Sequence, residues 1–383
     1  MTSATGGPVL PEFPWDRLTP FKGKAGQHAG GIVDLSVGTP VDPTPQLVQQ
    51  ALAAAADAPG YPQTHGTPPL REAVAAWFAR RRNVPDLDPA GVLPTIGSKE
   101  FVAWLPTLLG LGAGDVVMHP QVAYPTYDVG ARLAGATPLA ADGTLQVGPA
   151  TGAVKRVWLN SPGNPTGRVL GTEHLRKTVQ WARSIGAVVA SDECYAELGW
   201  DGVEVPSLLD PEVCGDSHEG LLVVYSTSKQ SNLAGYRAAF VAGDPVLVQR
   251  ILQIRKHAGM IVPWPVQEAL RVALGVDVHV AEQRERYRRR REIVRDWLTA
   301  EGFRIDHSEA GLYFWATRDE SCWDTVAAMA DRGILLTPGD FYGPVGARHV
   351  RVALTVSDER VAQLATRGAG PDGSPGSTGG NLR

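Results

Sequence analysis

The chain has 383 residues, 43% of them hydrophobic and 20% charged, with a formal net charge of −4. That length allows two domains of ordinary size with a large core, and the mild negative balance argues against nucleic acid or an anionic membrane as the main partner while leaving small-molecule substrates open. Cys194, Cys214 and Cys322 are widely spaced, without a disulfide or metal-ligand pattern, which points to a reducing, cytoplasmic compartment and to no bound metal.

Residues 1 to about 30 are rich in Gly and Pro and read as an arm crossing the surface. They lack the cationic start and apolar segment of a secretory signal, and no apolar run in the chain is long enough to cross a bilayer. Ile32 to Pro40 reads as a short strand that breaks at Gly38, an ordinary turn glycine on this evidence. Pro45 to Ala58 reads as an alanine-rich helix, followed by the loop Pro59-Gly60-Tyr61-Pro62. From Leu93 to Leu105 the pattern is strand, tight turn at Gly97-Ser98-Lys99, and helix start. Free backbone amides and the positive dipole end at such a start suit an anion, although a plain N-cap has the same composition. At Lys99 the backbone amide, rather than the side chain, is the expected anion donor.

Asp115 to Met118 is the next short strand, with Tyr124-Pro125-Thr126-Tyr127 after its end. Val154 to Asn160 is another, closed by Ser161-Pro162-Gly163-Asn164-Pro165-Thr166-Gly167, a turn by composition. The apolar run Ile185 to Ser191 ends in Asp192-Glu193-Cys194-Tyr195. Leu221 to Tyr225 has the β-branched content of a buried parallel strand and leads into Ser226-Thr227-Ser228-Lys229. Lys229 therefore stands at a strand end, the edge at which open α/β sheets bind ligands. Among apolar and cationic neighbours a lysine amine has its pKa lowered and becomes a nucleophile toward an aldehyde. Arg237, with the hydroxyls of Ser226 and Ser228, offers the forked cation and small donors that a phosphate monoester requires. A surface lysine in a Ser/Thr loop is the competing reading of Lys229.

Pro245 to about Ala258 reads as a helix, broken at Gly259 to Pro265, where a domain boundary is expected. Val266 to Leu274 and Val278 to Glu301 read as helices. The run Arg284 to Glu292 interleaves arginines with glutamates, which predicts a solvated, salt-bridged face rather than a nucleic-acid surface. Gly311 to Trp315, Ile334 to Leu336 and His349 to Leu354 read as strands of a smaller domain, and the Gly/Ser/Pro-rich end after about Arg367 reads as disordered. The expected organisation is an arm with part of the small domain over 1–44, a large domain over 45–262, a small domain over 263–367 and a tail over 368–383.

The order Asn164-Pro165-Thr166-Gly167, Asp192-x-x-Tyr195, Ser226-Thr227-Ser228-Lys229 and Gly235-Tyr236-Arg237 resembles the signature of the class I/II aminotransferases, fold type I enzymes that carry pyridoxal phosphate. The resemblance runs from about Phe13 to Val361. It implies an α/β fold, with a mainly parallel seven-stranded sheet in a large cofactor-binding domain and a smaller α+β domain. It implies that Lys229 carries the cofactor and moves protons. Gly97, Ser98, Lys99, Ser226, Ser228 and Arg237 would hold its phosphate, Tyr124 would stack on its ring, and Asp192 would keep the ring nitrogen protonated. Asn164 and Tyr195 would hydrogen-bond its phenolate oxygen. Tyr61 would reach the phosphate bound by a neighbouring subunit, making a homodimer. Gly38 would approach the substrate and Arg351 would fork onto its α-carboxylate, although an arginine between Val350 and Val352 in a strand also suits a surface face.

Segments including Glu12 to Asp16, Ala123 to Ala136 and Arg255 to Gln267 look like the actinobacterial succinyldiaminopimelate aminotransferases of lysine biosynthesis. That implies amino transfer between glutamate and N-succinyl-2-amino-6-oxopimelate, with Arg255, Lys256 and His257 as candidates for the distal carboxylates. The alternatives are an aminotransferase for aspartate, an aromatic amino acid or unsuccinylated diaminopimelate, a pyridoxal-phosphate lyase, and a ligand-sensing regulator on the same fold.

Overall fold

The computed structural model describes residues 9–143 and 146–367. The expected tail over 368–383 lies outside the described residues. Thirteen strands form along the described chain: β1 (Val33–Asp34), β2 (Val92–Ile96), β3 (Val116–His119), β4 (Thr137–Ala140), β5 (Val154–Asn160), β6 (Val188–Asp192), β7 (Leu221–Ser226), β8 (Ala238–Gly243), β9 (Arg304–His307), β10 (Tyr313–Thr317), β11 (Ile334–Leu335), β12 (Thr337–Pro338) and β13 (Val350–Ala353).

Seven of them make one sheet in the order β2-β8-β7-β6-β5-β3-β4, in which β8 runs against all the others. Every residue of β7 and β8 is buried, as expected of central strands covered on both faces. Helices Gln46–Ala54, Pro68–Arg81, Thr172–Ser184 and Trp264–Gly275 bury Val48, Trp77, Val179 and Leu270 against one face. Helices Gly97–Leu108, Thr126–Leu133 and Pro245–Ala258 bury Leu105, Tyr127 and Ile251 against the other. The helix Trp264–Gly275 places Ala269, Leu270, Ala273 and Leu274 in the large-sheet core, against the division expected at 262/263. The proline-rich break at Pro263 is thus a helix entry inside one layer.

A second sheet, β12-β13-β10-β9, is antiparallel. The long helix Val278–Ala300 packs Tyr287, Val294, Trp297 and Leu298 against it, and Cys322–Asp331 adds Val326 and Met329. The same cluster includes Cys194, Tyr195, Leu198 and Trp200 from the segment after β6, so one apolar core ties the end of a large-sheet strand to the small sheet.

Two expectations change. The N-terminal stretch is not a simple surface arm: Pro14–Leu18 forms a short 3-10 turn and Thr19–Gly26 a helix, with Leu18 buried and Phe21 5.5 Å from Trp323 between ring centroids. The arginine run on Val278–Ala300 is only partly solvated. Arg288 pairs with Glu285 and Glu292 at the surface, but Arg290, 2% exposed, forks onto Asp42 at 2.6 and 2.7 Å, and buried Arg291 donates to Asp201 at 3.1 Å. The heptad-like charge pattern could not reveal that two of its arginines turn inward toward the loops after β1 and β6.

Candidate active site

The C-terminal ends of β5, β6 and β7 and the start of helix Gly97–Leu108 meet β10, β13 and the Ser36–Thr39 segment around a cavity of about 520 Å³. Phe13, Trp15, Ser98, Lys99, Tyr124 and Asn160 line it, with Asn164, Asp192, Tyr195, Ser226, Ser228, Lys229, Arg237, Tyr313 and Arg351. Residues singled out in sequence thus converge from as far apart as Gly38 and Arg351. Tyr61 does not line this cavity; its side chain is fully exposed at 100%.

Lys229 follows β7 and donates from Nζ to the backbone oxygen of Gly38. Burial pushes its amine below the ordinary lysine value, and the nearby Arg351 and Arg237 cations add to the fall while the Tyr313 phenol opposes it. The nucleophile reading, not the surface-lysine reading, fits this setting. Asp192, at the end of β6, accepts from Tyr127 Oη at 3.0 Å and from the Cys194 amide at 3.2 Å. Burial raises its carboxyl above the usual range, so a cationic partner in the cavity would relieve a real desolvation cost.

Asn160 ties the strand ends together: its Nδ2 donates to the Asp192 carbonyl at 3.0 Å, and its Oδ1 accepts from the Asn164 amide at 2.8 Å. Asn164 Oδ1 in turn accepts from Arg351 Nη1 at 2.9 Å. Because a guanidinium only donates, this contact fixes which end of the Asn164 amide faces Arg351 and leaves the Nδ2 donor for the cavity. Arg351, in β13, is buried and donates from Nη2 to the Ser36 carbonyl at 2.5 Å, with Tyr313 under its guanidinium at 4.2 Å from the ring centroid. Its Nε has no partner. The surface alternative for Arg351 is therefore wrong: register pairs it with Trp315 in β10, and the small sheet presents it inward.

The residues expected to hold an anion gather at the helix start. Gly97 takes φ +73°, and a side-chain carbon there would lie 2.0 Å from Arg237 Nη2, so only glycine lets the guanidinium lie against the turn. The Gly97 amide donates to the Arg237 carbonyl at 2.8 Å, while the following first-turn amides of Ser98 and Lys99 leave the helix end. Ser226 and Ser228 hydroxyls lie 2.7 Å apart beside it. The Lys99 side chain also lines the cavity, its Nζ 5.4 Å from the Phe13 ring centroid, with burial and then Arg237 lowering its pKa. Tyr124 is held in the wall, its phenol pushed up to about 12 chiefly by burial.

The family model for aminotransferase class I and II matches residues 31–367. The chain belongs to the class I and II aminotransferases. This aminotransferase is 60% identical over 358 residues to a probable aminotransferase of Mycobacterium tuberculosis, covering 94% of this chain and 85% of that one. It is 57% identical over 358 residues to the 4-dedimethylamino-4-oxo-anhydrotetracycline transaminase OxyQ of Streptomyces rimosus, covering 94% of this chain and 99% of that one. Among solved structures it resembles a probable N-succinyldiaminopimelate aminotransferase of Thermus thermophilus, with a TM-score of 0.83 and 29% identity over 93% of this chain and 99% of that one.

Class I and II aminotransferases are pyridoxal-phosphate enzymes, and the residues present fit that group. The anion cup between Gly97, Ser226, Ser228 and Arg237 suits its phosphate, buried Asp192 suits a protonated ring nitrogen, and Lys229 is an amine of lowered pKa. When bound, the cofactor supplies the electron sink that lets a proton leave the carbon beside an amine.

Two sequence expectations fail. Arg255, expected near a distal carboxylate, is 0% exposed and bound to Glu100 at 2.7 Å and to the Met260 carbonyl at 3.2 Å, behind the anion-site helix rather than in the cavity. Lys256 and His257 are exposed on the same helix and do not line the cavity either. Conversely, Asn160, Tyr127 and Tyr313 were not singled out as site residues. Tyr127 sits in the quoted Tyr-Pro-Thr-Tyr stretch and Asn160 ends a quoted strand, but nothing local to Tyr313 distinguishes it from any other strand aromatic.

Proposed function

We propose that this aminotransferase moves an amino group between glutamate and N-succinyl-2-amino-6-oxopimelate, as a cytoplasmic homodimer in lysine and diaminopimelate biosynthesis. The observation that carries the amino-acid part of the reading is the buried Arg351 guanidinium, whose Nε lacks a partner beside the cavity. A substrate α-carboxylate satisfies it and the charge together. With the cofactor bound, Asn164 and Tyr195 would hydrogen-bond its phenolate oxygen, Asp192 would keep its ring nitrogen protonated, and Tyr124 would stack on its ring. Ser98, Lys99, Ser226, Ser228 and Arg237 would hold its phosphate. The Lys229 amine would take up and return the substrate's α-proton as general base and acid, in two half-reactions that share the site.

The choice of a substrate with several carboxylates rests on Lys99, an exposed cation at the mouth of the cavity, and on the name of the Thermus thermophilus neighbour. Tyr61, exposed on a single chain, reaches the phosphate of the neighbouring copy in this reading. The aromatic mouth of Phe13, Trp15 and Tyr124, with the 57% identity to the anhydrotetracycline transaminase, favours a second reading in which the amino acceptor is a flat polycyclic ketone.

The test is an absorbance titration of the cofactor-loaded protein with glutamate and, separately, with N-succinyl-diaminopimelate. Conversion of the cofactor band by both, reversed by 2-oxoglutarate, supports the reading. Conversion by glutamate alone removes the succinylated substrate. Reversal of the glutamate-converted form by the tetracyclic ketone would then select the second reading.

A further inference from the structure

Tyr313 brings two separate things to the cavity. Its ring lies under Arg351, 4.2 Å from the guanidinium carbon to the ring centroid, a contact that any aromatic side chain would make. Its hydroxyl does something a phenylalanine could not. It lies 3.0 Å from Tyr195 Oη, and it occupies the space over Gly38, where a side-chain carbon would fall 2.0 Å from it. Lys229 Nζ donates to the carbonyl of that same glycine, so the Tyr313 hydroxyl is packed between Tyr195 and the backbone that holds the lysine.

A phenol has one hydrogen to give and lone pairs to receive. In the proposed function Tyr195 gives its hydrogen to the cofactor's phenolate oxygen, which leaves the Tyr195 oxygen able to accept. Tyr313 is the donor within reach. We infer that Tyr313 is a positioning residue that donates to Tyr195 and thereby strengthens the hydrogen bond Tyr195 makes to the cofactor. This rests on the reading that Tyr195 faces the phenolate oxygen.

The groups facing the Tyr313 hydroxyl carry both signs of charge. They are Lys229, Arg351, Asp192 and Tyr195, with the phenols of Tyr124, Tyr342 and Tyr287 also close. Burial pushes the Tyr313 phenol up, but the nearby Arg351 and Lys229 cations help hold it below the ordinary tyrosine value. A more acidic phenol is a better donor, and donors arranged in a chain polarise one another.

The experiment is a pH titration of the visible band of the loaded enzyme in four forms: wild type, Tyr313→Phe, Tyr195→Phe and the double variant. Loss of a donor at the phenolate oxygen favours the protonated cofactor centre, so Tyr195→Phe should move the midpoint up. Tyr313→Phe should move it the same way by about 10–30% of that shift, the scale of hydrogen-bond cooperativity. The double variant should match Tyr195→Phe alone, because Tyr313 acts through Tyr195. An unmoved or lowered midpoint in Tyr313→Phe, or shifts that add in the double variant, overturns the inference and leaves the Tyr195 reading intact. An unmoved midpoint in Tyr195→Phe overturns both. Retention of the cofactor band in each variant shows that the fold survives the loss of one oxygen.

Discussion

Asp192 ends a parallel strand of the large sheet and Asn164 and Lys229 follow the ends of two others, whereas Arg351 and Tyr313 project from antiparallel strands of the small one. The first wall is a set of strand ends: Asn160 of β5 clasps Asp192 and Asn164, Tyr127 on the helix Thr126–Leu133 donates to the Asp192 carboxylate, and Lys229 reaches across to the Gly38 carbonyl. The second is a face, and its polar groups find partners mainly across the cavity: Arg351 on Asn164 and Ser36, Tyr313 on Tyr195. Asp192 therefore keeps its partners within the large-sheet side, whereas the substrate-facing wall is set only when the two come together. Movement of the small sheet would loosen Arg351 before it disturbed Asp192.

The largest test of this contrast removes the centre of the first wall. Lys229→Ala should lower turnover by at least about 10⁴-fold, the upper range for a lost acid–base group, while the fold and phosphate binding persist. Stopped-flow and steady-state rates measure it, and near-wild-type turnover would discard the assignment. Next is the second wall. Arg351→Lys keeps the charge but not the fork, and kcat/KM for every amino acid should fall by about 10²-fold, with cofactor affinity nearly unchanged. Equal losses in cofactor and substrate affinity would mean that the two walls are not separable.

Behind the first wall, Arg255→Met leaves Glu100 without its buried partner and should destabilise the protein by about 3–5 kcal/mol in denaturant unfolding. A selective rise in KM for one substrate, with stability intact, would restore Arg255 to a recognition role. At the contact between the walls, Gly38→Ala drives a methyl into the Tyr313 hydroxyl and should cost about 1–3 kcal/mol. Tyr313→Phe should recover part of that loss, because it removes the nearest clashing atom.

The smallest effect is pH-dependent. Folding holds the Lys229 amine below 10.5, so between its folded value and 10.5 the unfolded chain binds a proton that the folded chain does not. Stability of the cofactor-free protein should therefore rise with pH across that window, and Lys229→Met should flatten the rise. The rate of cofactor loading should rise as pH approaches the folded value, where the neutral amine becomes the dominant form, and should level off within that window. A loading rate that rises only above 10.5 would show that burial does not tune the amine.

The sequence by itself determined the large-sheet wall. Lys229, Asp192 and Asn164 follow apolar runs that have one stable use, as buried strands, and a strand end fixes where the next residues lie. Gly97 was legible for the same reason: a turn between strand and helix start has few conformations, and one of them needs glycine. The sequence left β4, β8 and β9 unread, since Thr137–Ala140, the alanine-rich Ala238–Gly243 and the polar Arg304–His307 lack the alternation or branching that marks a strand. It misplaced Arg255, because an exposed-looking arginine on a helix gives no sign of a carboxylate 155 positions away. It was also silent on Tyr313. Only the tertiary structure decided these, because a contact between residues on different sheets is set by how the layers pack, and local propensity carries no information about that packing.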